Sequence, residues 1–196
     1  MTWLALLLSD PSPSLRWLVL TRLLRRSGDD PEVRELAELK KQDALVIQLS
    51  ERQARDGSWG AGDVFGSPHN RLLTTSQALL RMGYLGFDQN HPVVERGASF
   101  ILAQQEIDGS WPLPDRFVES DQKESYDMIP MQTALPLRGL AACGFADHPQ
   151  AEKAYEWLLK QRLEDGAWPT GRAAGSLGYV AGYRRMPHSR WGCRSN

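Results

Sequence analysis

A short phrase occurs three times in this chain and constrains its fold more than any other feature. The copies cover residues 53–59, 105–111 and 161–168, and each places Asp-Gly-Ser-Trp or Asp-Gly-Ala-Trp a few residues after a glutamine. The spacings between the three tryptophans are 52 and 57 residues. Self-similarity at such a period indicates a supersecondary unit that is stacked on copies of itself. The sequence therefore predicts a repeat array.

A second phrase recurs in phase with the first and indicates what the unit contains. His91-Pro92 and His148-Pro149 each follow a Gly-containing turn, and apolar residues at helical spacing follow each proline. Proline suits the first turn of a helix, and we expect Asn90 and Asp147 to be the N-caps. The repeat unit is predicted to be a helix, a turn, a second helix and the Asp-Gly-x-Trp loop.

The rest of the chain also reads as helical. We expect one helix over 15–25 and another from Pro31 to about Gln53, and no useful β pattern appears. The predicted organisation is an N-terminal helical segment, 1–40, packed on a repeat domain, 41–196.

Composition excludes several classes of protein. The 23 basic and 24 acidic residues give a net charge of −1, so we expect no nucleic-acid partner. Two cysteines cannot form a disulfide framework, which favours a reducing, cytoplasmic location. The apolar run Trp3–Leu8 is too short to span a membrane, although it could contact a membrane surface.

The repeated phrase resembles the QW motif of the squalene/oxidosqualene cyclases, whose helical hairpins are shared by the protein prenyltransferase β subunits. The residues that carry this resemblance are the structural-repeat pairs Gln53 and Trp59, Gln105 and Trp111, and Gln161 and Trp168. The resemblance implies an all-α fold, an α/α toroid with inner helices around an apolar cavity. It also implies that each glutamine ties down a neighbouring helix end beneath the tryptophan ring.

The chain has room for only part of such a toroid. We therefore expect an incomplete ring, and two explanations stay open: a missing C-terminal half, or a homodimer in which copies cover each other's open edges.

The function that the resemblance implies is handling of an isoprenoid or similarly apolar small molecule in the cavity, as in a terpene cyclase or prenyltransferase. Cyclases of this kind begin catalysis with an Asp-x-Asp-Asp motif, and this sequence lacks one. The sequence therefore leaves open whether the protein is an enzyme. The alternative is a non-catalytic helical-repeat scaffold that binds lipid or protein.

The candidate site residues lie at or just before predicted inner helices. Protein prenyltransferases hold zinc with Asp, Cys and His, so the resemblance makes Cys193, His69 and Asp127 candidate zinc ligands. Asp127, Tyr126 and His69 are the candidate catalytic residues, since a carboxyl group can protonate an alkene and an aromatic ring can stabilise a cation. The recurring Asp56, Asp108 and Asp165 are expected to be turn residues instead.

Overall fold

The computed structural model describes residues 3–60, 71–111, 130–162, 164, 166, 168–169 and 190–191. Helices dominate this part of the chain, which confirms the all-α prediction. The helices are α1 (Trp3–Leu8), α2 (Pro13–Leu18), α3 (Pro31–Leu39), α4 (Ala44–Glu51), α5 (Arg71–Tyr84), α6 (Pro92–Leu102), α7 (Pro130–Ala142) and α8 (Pro149–Lys160). Two short strands, β1 (Trp168–Pro169) and β2 (Arg190–Trp191), pair antiparallel.

The predicted helix from Pro31 to Gln53 is wrong, because it is two helices separated by a 3₁₀ turn, Lys40–Gln42. The break is at Asp43, whose carboxylate accepts a hydrogen bond of 3.1 Å from the Leu45 amide and so caps α4. The same carboxylate accepts from the Ser12 hydroxyl at 2.6 Å and from the Ser14 amide at 3.4 Å. Asp43 therefore starts one helix and holds the beginning of another. By contrast, the helix predicted over 15–25 is present as α2 and a π-helical continuation, Val19–Leu23.

The N-caps of α6 and α8 lie one residue later than expected. The cap residues are His91 and His148, whose backbones are extended, and not Asn90 and Asp147. The His148 Nδ1 accepts a hydrogen bond of 3.3 Å from the Gln150 amide. Asn90 instead donates to the Asp88 carboxylate within the preceding turn.

Two successive hairpins, α5–α6 and α7–α8, form the repeat, with α5 and α7 side by side as the inner layer and α6 and α8 packed outside them. The inner helices approach closely at two glycines. A Cβ on Gly83 would lie 2.5 Å from the carbonyl oxygen of Ala142, and one on Gly139 would lie 2.7 Å from that of Ser76. Small residues are therefore required where α5 and α7 cross.

The core consists of two hydrophobic clusters. The main cluster extends from α4 to α8 and includes Trp59 and Trp111, which are fully buried. A smaller cluster joins Leu20, Val33 and Leu36 with Leu8 and Trp17. The residues of the smaller cluster all precede Lys40 in the sequence, and those of the main cluster all follow it.

The Asp-Gly turns fix how each loop meets the next outer helix. Gly57 and Gly109 have φ values of +87° and +97°, in the left-handed region that favours glycine. A Cβ on Gly109 would lie 2.6 Å from the carbonyl oxygen of Lys153 in α8, and one on Gly57 would collide with the carbonyl oxygen of Arg96 in α6. These glycines are required both by backbone conformation and by space.

We expect Gly109→Ala to lower the free energy of unfolding by about 2 to 4 kcal/mol, because it combines a left-handed residue with a displaced helix backbone. Urea denaturation measures the change. Gly28→Ala is the matched control, since nothing lies within 4 Å of a Cβ there. Equal effects of the two substitutions would contradict the assigned role of Gly109.

Candidate functional site

The tryptophan of each loop closes the end of the outer helix that precedes it. The indole N–H of Trp59 donates to the Leu49 carbonyl in α4 at 2.8 Å, and that of Trp111 donates to the Ile101 carbonyl in α6 at 2.8 Å. A carbonyl in the last turn of a helix has no partner within the helix, so each indole satisfies one such group. Both rings remain fully buried while doing so.

The same loops also attach to the next inner helix. The backbone N–H of Trp59 donates to the Thr75 hydroxyl in α5 at 3.0 Å. The equivalent bond joins Trp111 to Thr133 in α7 at 3.1 Å. Thr75 and Thr133 thus occupy corresponding positions of the two inner helices.

The glutamine of the motif reaches the next outer helix. Nε2 of Gln53 donates to the carbonyls of Gly57 and Val93, both at 2.9 Å. Nε2 of Gln105 donates to the carbonyls of Gly109 at 2.9 Å and Gln150 at 2.8 Å. One amide group therefore bridges its own loop and the first turn of the following outer helix. These contacts assign the first two motif copies a structural role.

In the third copy the glutamine position is taken by arginine. Arg162 lies four residues before Gly166, as Gln53 and Gln105 lie four before their glycines, and its Nε donates to the Gly166 carbonyl at 3.2 Å. Gln161, the residue chosen from the sequence, is instead the C-cap of α8. Trp168 has the same geometry as Trp59 and Trp111, since its indole N–H donates to the Leu158 carbonyl at 2.8 Å.

The repeated aspartates are turn residues where the structure describes them. Asp56 and Asp108 each accept hydrogen bonds from the amide and the hydroxyl of the serine two residues later. The bonds from Ser58, with a smaller effect of Arg71, lower the pKa of Asp56. Partial burial would raise the pKa of Asp108, but the bonds from Ser110 and Trp157 hold it below its ordinary value. Such groups are ionised at neutral pH and cannot serve as strong general acids.

The candidate catalytic and zinc-binding residues, His69, Tyr126, Asp127 and Cys193, all lie outside the described residues. Within the described ranges, no group of three or more His, Cys, Asp or Glu side chains could hold a metal ion. Burial raises the pKa of the Cys143 thiol to about 12, so this cysteine is protonated and packs as a core residue. The zinc site stays a prediction.

The inner layer carries a mostly apolar stripe of residues that the core does not fully bury. On α5 the stripe is Leu73, Gln77, Leu80 and Tyr84, which recur at helical spacing and are all partly or fully exposed. On α7 the corresponding residues include Leu135, Arg138 and Ala142. We call these seven residues the inner face; they include no carboxylate.

One polar contact joins the two helices across the inner face. Nη2 of Arg138 donates to the Tyr84 hydroxyl at 2.5 Å, and the guanidinium lies 5.9 Å from the centre of the Tyr84 ring. Arg138 therefore orients Tyr84 at one end of the inner face. Its positive charge also makes Tyr84 an unfavourable partner for a carbocation, because both cations would compete for the same ring.

A buried lysine joins the two hydrophobic clusters. Lys40 is 7% exposed, and its Nζ donates to the Gly86 carbonyl at 2.5 Å. The ammonium also lies 3.8 Å from the ring centre of Trp17 and 4.5 Å from that of Phe87. Burial lowers the pKa of Lys40 from 10.5 to about 8, while the carboxylate of Asp88 acts in the opposite direction. Lys40 thus attaches the N-terminal segment to the α5–α6 turn.

Sequence reasoning missed three parts of this arrangement. Superposing the repeats would have revealed Thr75 and Thr133, because a threonine occurs at the same position of both inner helices. Nothing in the local sequence distinguishes Lys40 from an exposed lysine, or pairs Tyr84 with Arg138.

The helices form two layers, and each loop between them binds the next hairpin. This arrangement defines the chain as part of an α/α toroid. The chain belongs to the family of the squalene-hopene cyclase C-terminal domain, whose model matches residues 31–183.

Known relatives agree with that family. The chain is 28% identical over 131 residues to the squalene–hopene cyclase of Zymomonas mobilis. The matched segment covers 65% of this chain and 19% of the relative. It is 27% identical over 133 residues to the squalene–hopene cyclase of Bradyrhizobium diazoefficiens, covering 65% and 19%. It is 26% identical over 119 residues to a probable squalene–hopene cyclase of Sinorhizobium fredii, covering 59% and 17%. The chain therefore spans about a fifth of the length of these relatives.

No described helix is long and apolar enough to cross a membrane.

We expect Gln105→Glu to lower the free energy of unfolding by about 2 to 3 kcal/mol, because it replaces a donor by a carboxylate facing two carbonyl oxygens. Gln104→Glu is the control, because the Nε2 of Gln104 donates to the Phe100 carbonyl of the preceding helix α6 and bridges no other element in the described residues. Urea denaturation at neutral pH compares the two variants. A smaller loss for Gln105→Glu than for Gln104→Glu would refute the bridging role.

The Lys40 site predicts a pH dependence of stability. Between about pH 8 and 10.5 the unfolded chain retains the lysine proton while the folded chain loses it, so stability from this group rises with pH. Relative to Lys40→Met, the wild-type free energy of unfolding should rise by about 1 to 2 kcal/mol between pH 7 and pH 9.5. Both proteins contain Cys143, so its titration cancels in the difference. Parallel stability curves would show that Lys40 titrates as an exposed lysine does.

Proposed function

We propose that this chain forms part of the wall of an apolar cavity in a terpene cyclase-like protein, with its inner face against an isoprenoid substrate. The observation that carries the proposal is the stripe of Leu73, Leu80 and Leu135, apolar residues of the inner helices that are not fully buried in the core. Membership of the cyclase family supports it. The names of the relatives make squalene the first substrate to test.

The inner face is suited to binding rather than to acid chemistry. A hydrocarbon chain offers no hydrogen-bonding group, so its affinity comes from apolar area removed from water, at about 25 cal/mol per Å². Leu73, Leu80 and Leu135 supply such area. Protonation of an alkene would need a carboxylic acid next to this surface, and none of the seven inner-face residues provides one.

Asp127 is the proposed acid. It lies three residues before α7, Tyr126 adjoins it, and His69 stands in the corresponding place two residues before α5. The starts of neighbouring inner helices lie at the same end of the array, so these residues come from segments that lead to one end of the inner face. The described residues offer no donor set for zinc, and no step of the proposed function involves it.

Squalene binding to the full chain tests the proposal. The protein is loaded with squalene from detergent micelles and separated by gel filtration, and the lipid that remains bound is extracted and quantified by gas chromatography. Leu80→Arg should reduce bound squalene at least about tenfold, because a guanidinium would have to be desolvated against hydrocarbon. Ile107→Arg is the matched control, since Ile107 is 90% exposed in a loop.

The same extracts are searched for cyclised products. Asp127→Asn should keep squalene binding and abolish any product that the wild type forms. Equal squalene retention by wild type, Leu80→Arg and Ile107→Arg, with no product, would contradict the proposal and favour a non-catalytic scaffold.

A further inference from the structure

The first helix of the chain is apolar along its whole length, and none of its residues is buried. Helix α1 reads Trp-Leu-Ala-Leu-Leu-Leu and contains no charged side chain. Trp3 is 83% exposed and Leu6 is 53% exposed. Contiguous apolar surface is unfavourable in water, so a patch of this kind on a folded protein marks a site of interaction.

The fold accounts for only one side of α1. Leu4, Leu7 and Leu8 are partly buried, and Leu8 packs against the smaller hydrophobic cluster. Trp3 and Leu6 are three residues apart and are therefore neighbours on a different side of the helix. Packing against the rest of the chain explains why Leu8 is apolar, and it leaves the apolar character of Trp3 and Leu6 without an explanation.

The π-helical segment Val19–Leu23, which α1 contacts, extends the exposed apolar surface. This segment buries Leu20 in the smaller cluster, but Leu23 at its end is 63% exposed and the following Leu24 is 37% exposed. Exposed apolar side chains therefore occur on both of two elements that touch each other.

The same part of the chain is basic, although the chain as a whole is not. Residues 3–28 contain four arginines and one acidic residue, Asp10, whereas the full chain has a net charge of −1. Arg22 and Arg25 are exposed and flank the two exposed leucines. Neither is held in an ion pair among the described residues. Apolar surface bordered by positive charge is complementary to an anionic lipid bilayer, which offers hydrocarbon beneath a negatively charged layer of headgroups.

From this combination we propose that residues 3–28 dock on the surface of an anionic lipid bilayer. Trp3 and Leu6 lie at the boundary between headgroups and acyl chains, a place that suits an indole because its apolar ring carries one N–H donor. Arg22 and Arg25 face the lipid phosphates, which a guanidinium can bind with two hydrogen bonds. A helix of six residues is far too short to span the bilayer, so the contact is interfacial.

The docked segment is fixed to the repeat array rather than hinged on it. The hydroxyl of Ser12 and the backbone amide of Ser14 bind the Asp43 carboxylate at the start of α4. The ring of Trp17 lies against the ammonium of Lys40. Docking of residues 3–28 therefore holds the whole array at the bilayer in one orientation. No residue of the inner face takes part, so this inference does not rest on the proposed function.

Flotation of the full chain with lipid vesicles tests the proposal. The wild type should float with vesicles of phosphatidylcholine containing about 30% phosphatidylglycerol, and should bind vesicles of phosphatidylcholine alone at least about tenfold more weakly. Trp3→Ser with Leu6→Ser should weaken binding to the anionic vesicles at least about tenfold, because the apolar area that leaves water is lost. Ile107→Ser is the matched control, since Ile107 is 90% exposed in a loop outside residues 3–28, and it should bind as the wild type does.

A second pair of variants tests the arginines separately. Arg22→Gln with Arg25→Gln should weaken binding to the anionic vesicles at least about tenfold and leave binding to phosphatidylcholine unchanged. Arg34→Gln with Arg55→Gln removes the same charge from exposed positions outside residues 3–28, and should change binding by less than about twofold. Circular dichroism verifies that every variant is folded.

Two outcomes would overturn the proposal. A wild type that does not float with anionic vesicles would mean that another part of the protein covers α1. Flotation that the Trp3 and Leu6 substitutions weaken no more than Ile107→Ser does would mean that the chain meets the bilayer through another surface. The vesicles contain no squalene, so either result is independent of the substrate proposed for the inner face.

Discussion

The amide of the motif glutamine is the interaction on which the rest of the architecture depends. A single Nε2 group has two N–H donors, and Gln105 directs one to its own loop and the other to the first turn of α8. Together with the indole of Trp111 and the hydroxyl of Thr133, it fixes the loop to three helices at once. Each loop therefore sets the position of the next hairpin relative to the previous one, and repetition of that position generates the curvature of a toroid.

This bridge works only because the turn is narrow. The left-handed glycine brings the loop backbone against the next outer helix, where a Cβ would collide with a carbonyl oxygen. The glutamine can then span both carbonyls with bonds of 2.8 and 2.9 Å. Glycine, glutamine and tryptophan are thus parts of one unit. Arg162 in the third copy shows that the bond to the loop tolerates another donor, since its Nε reaches the Gly166 carbonyl in the same way.

Local chemistry explains what the sequence could predict and what it could not. The repeat, its helices and the turn role of Asp56 and Asp108 follow from residues close in sequence, and each is visible in the structure. The break at Asp43 was missed because its partners Ser12 and Ser14 are about thirty residues away. Lys40 was missed for the same reason: its environment is assembled by Trp17 and Phe87 from separate segments. The shift from Gln161 to Arg162 depends on a single extra residue before the glycine, which only the bond to Gly166 resolves.

The apolar residues of the inner face and those of the groove between α7 and α8, namely Ala134, Leu137 and Ala141, have different counterparts in the repeat. Leu80 and Leu135 of the inner face are only partly buried, so packing within the hairpins covers them incompletely and leaves apolar surface available to a ligand. Residues of the α7–α8 groove correspond to positions that packing does explain, because the same positions on α5 are covered by α7. An apolar residue of the first kind is suited to a hydrocarbon, and one of the second kind to a helix. Failure of the chain to bind squalene would therefore contradict the role given to the inner face, and it would leave the correspondence between the α7–α8 groove and the covered face of α5 unchanged.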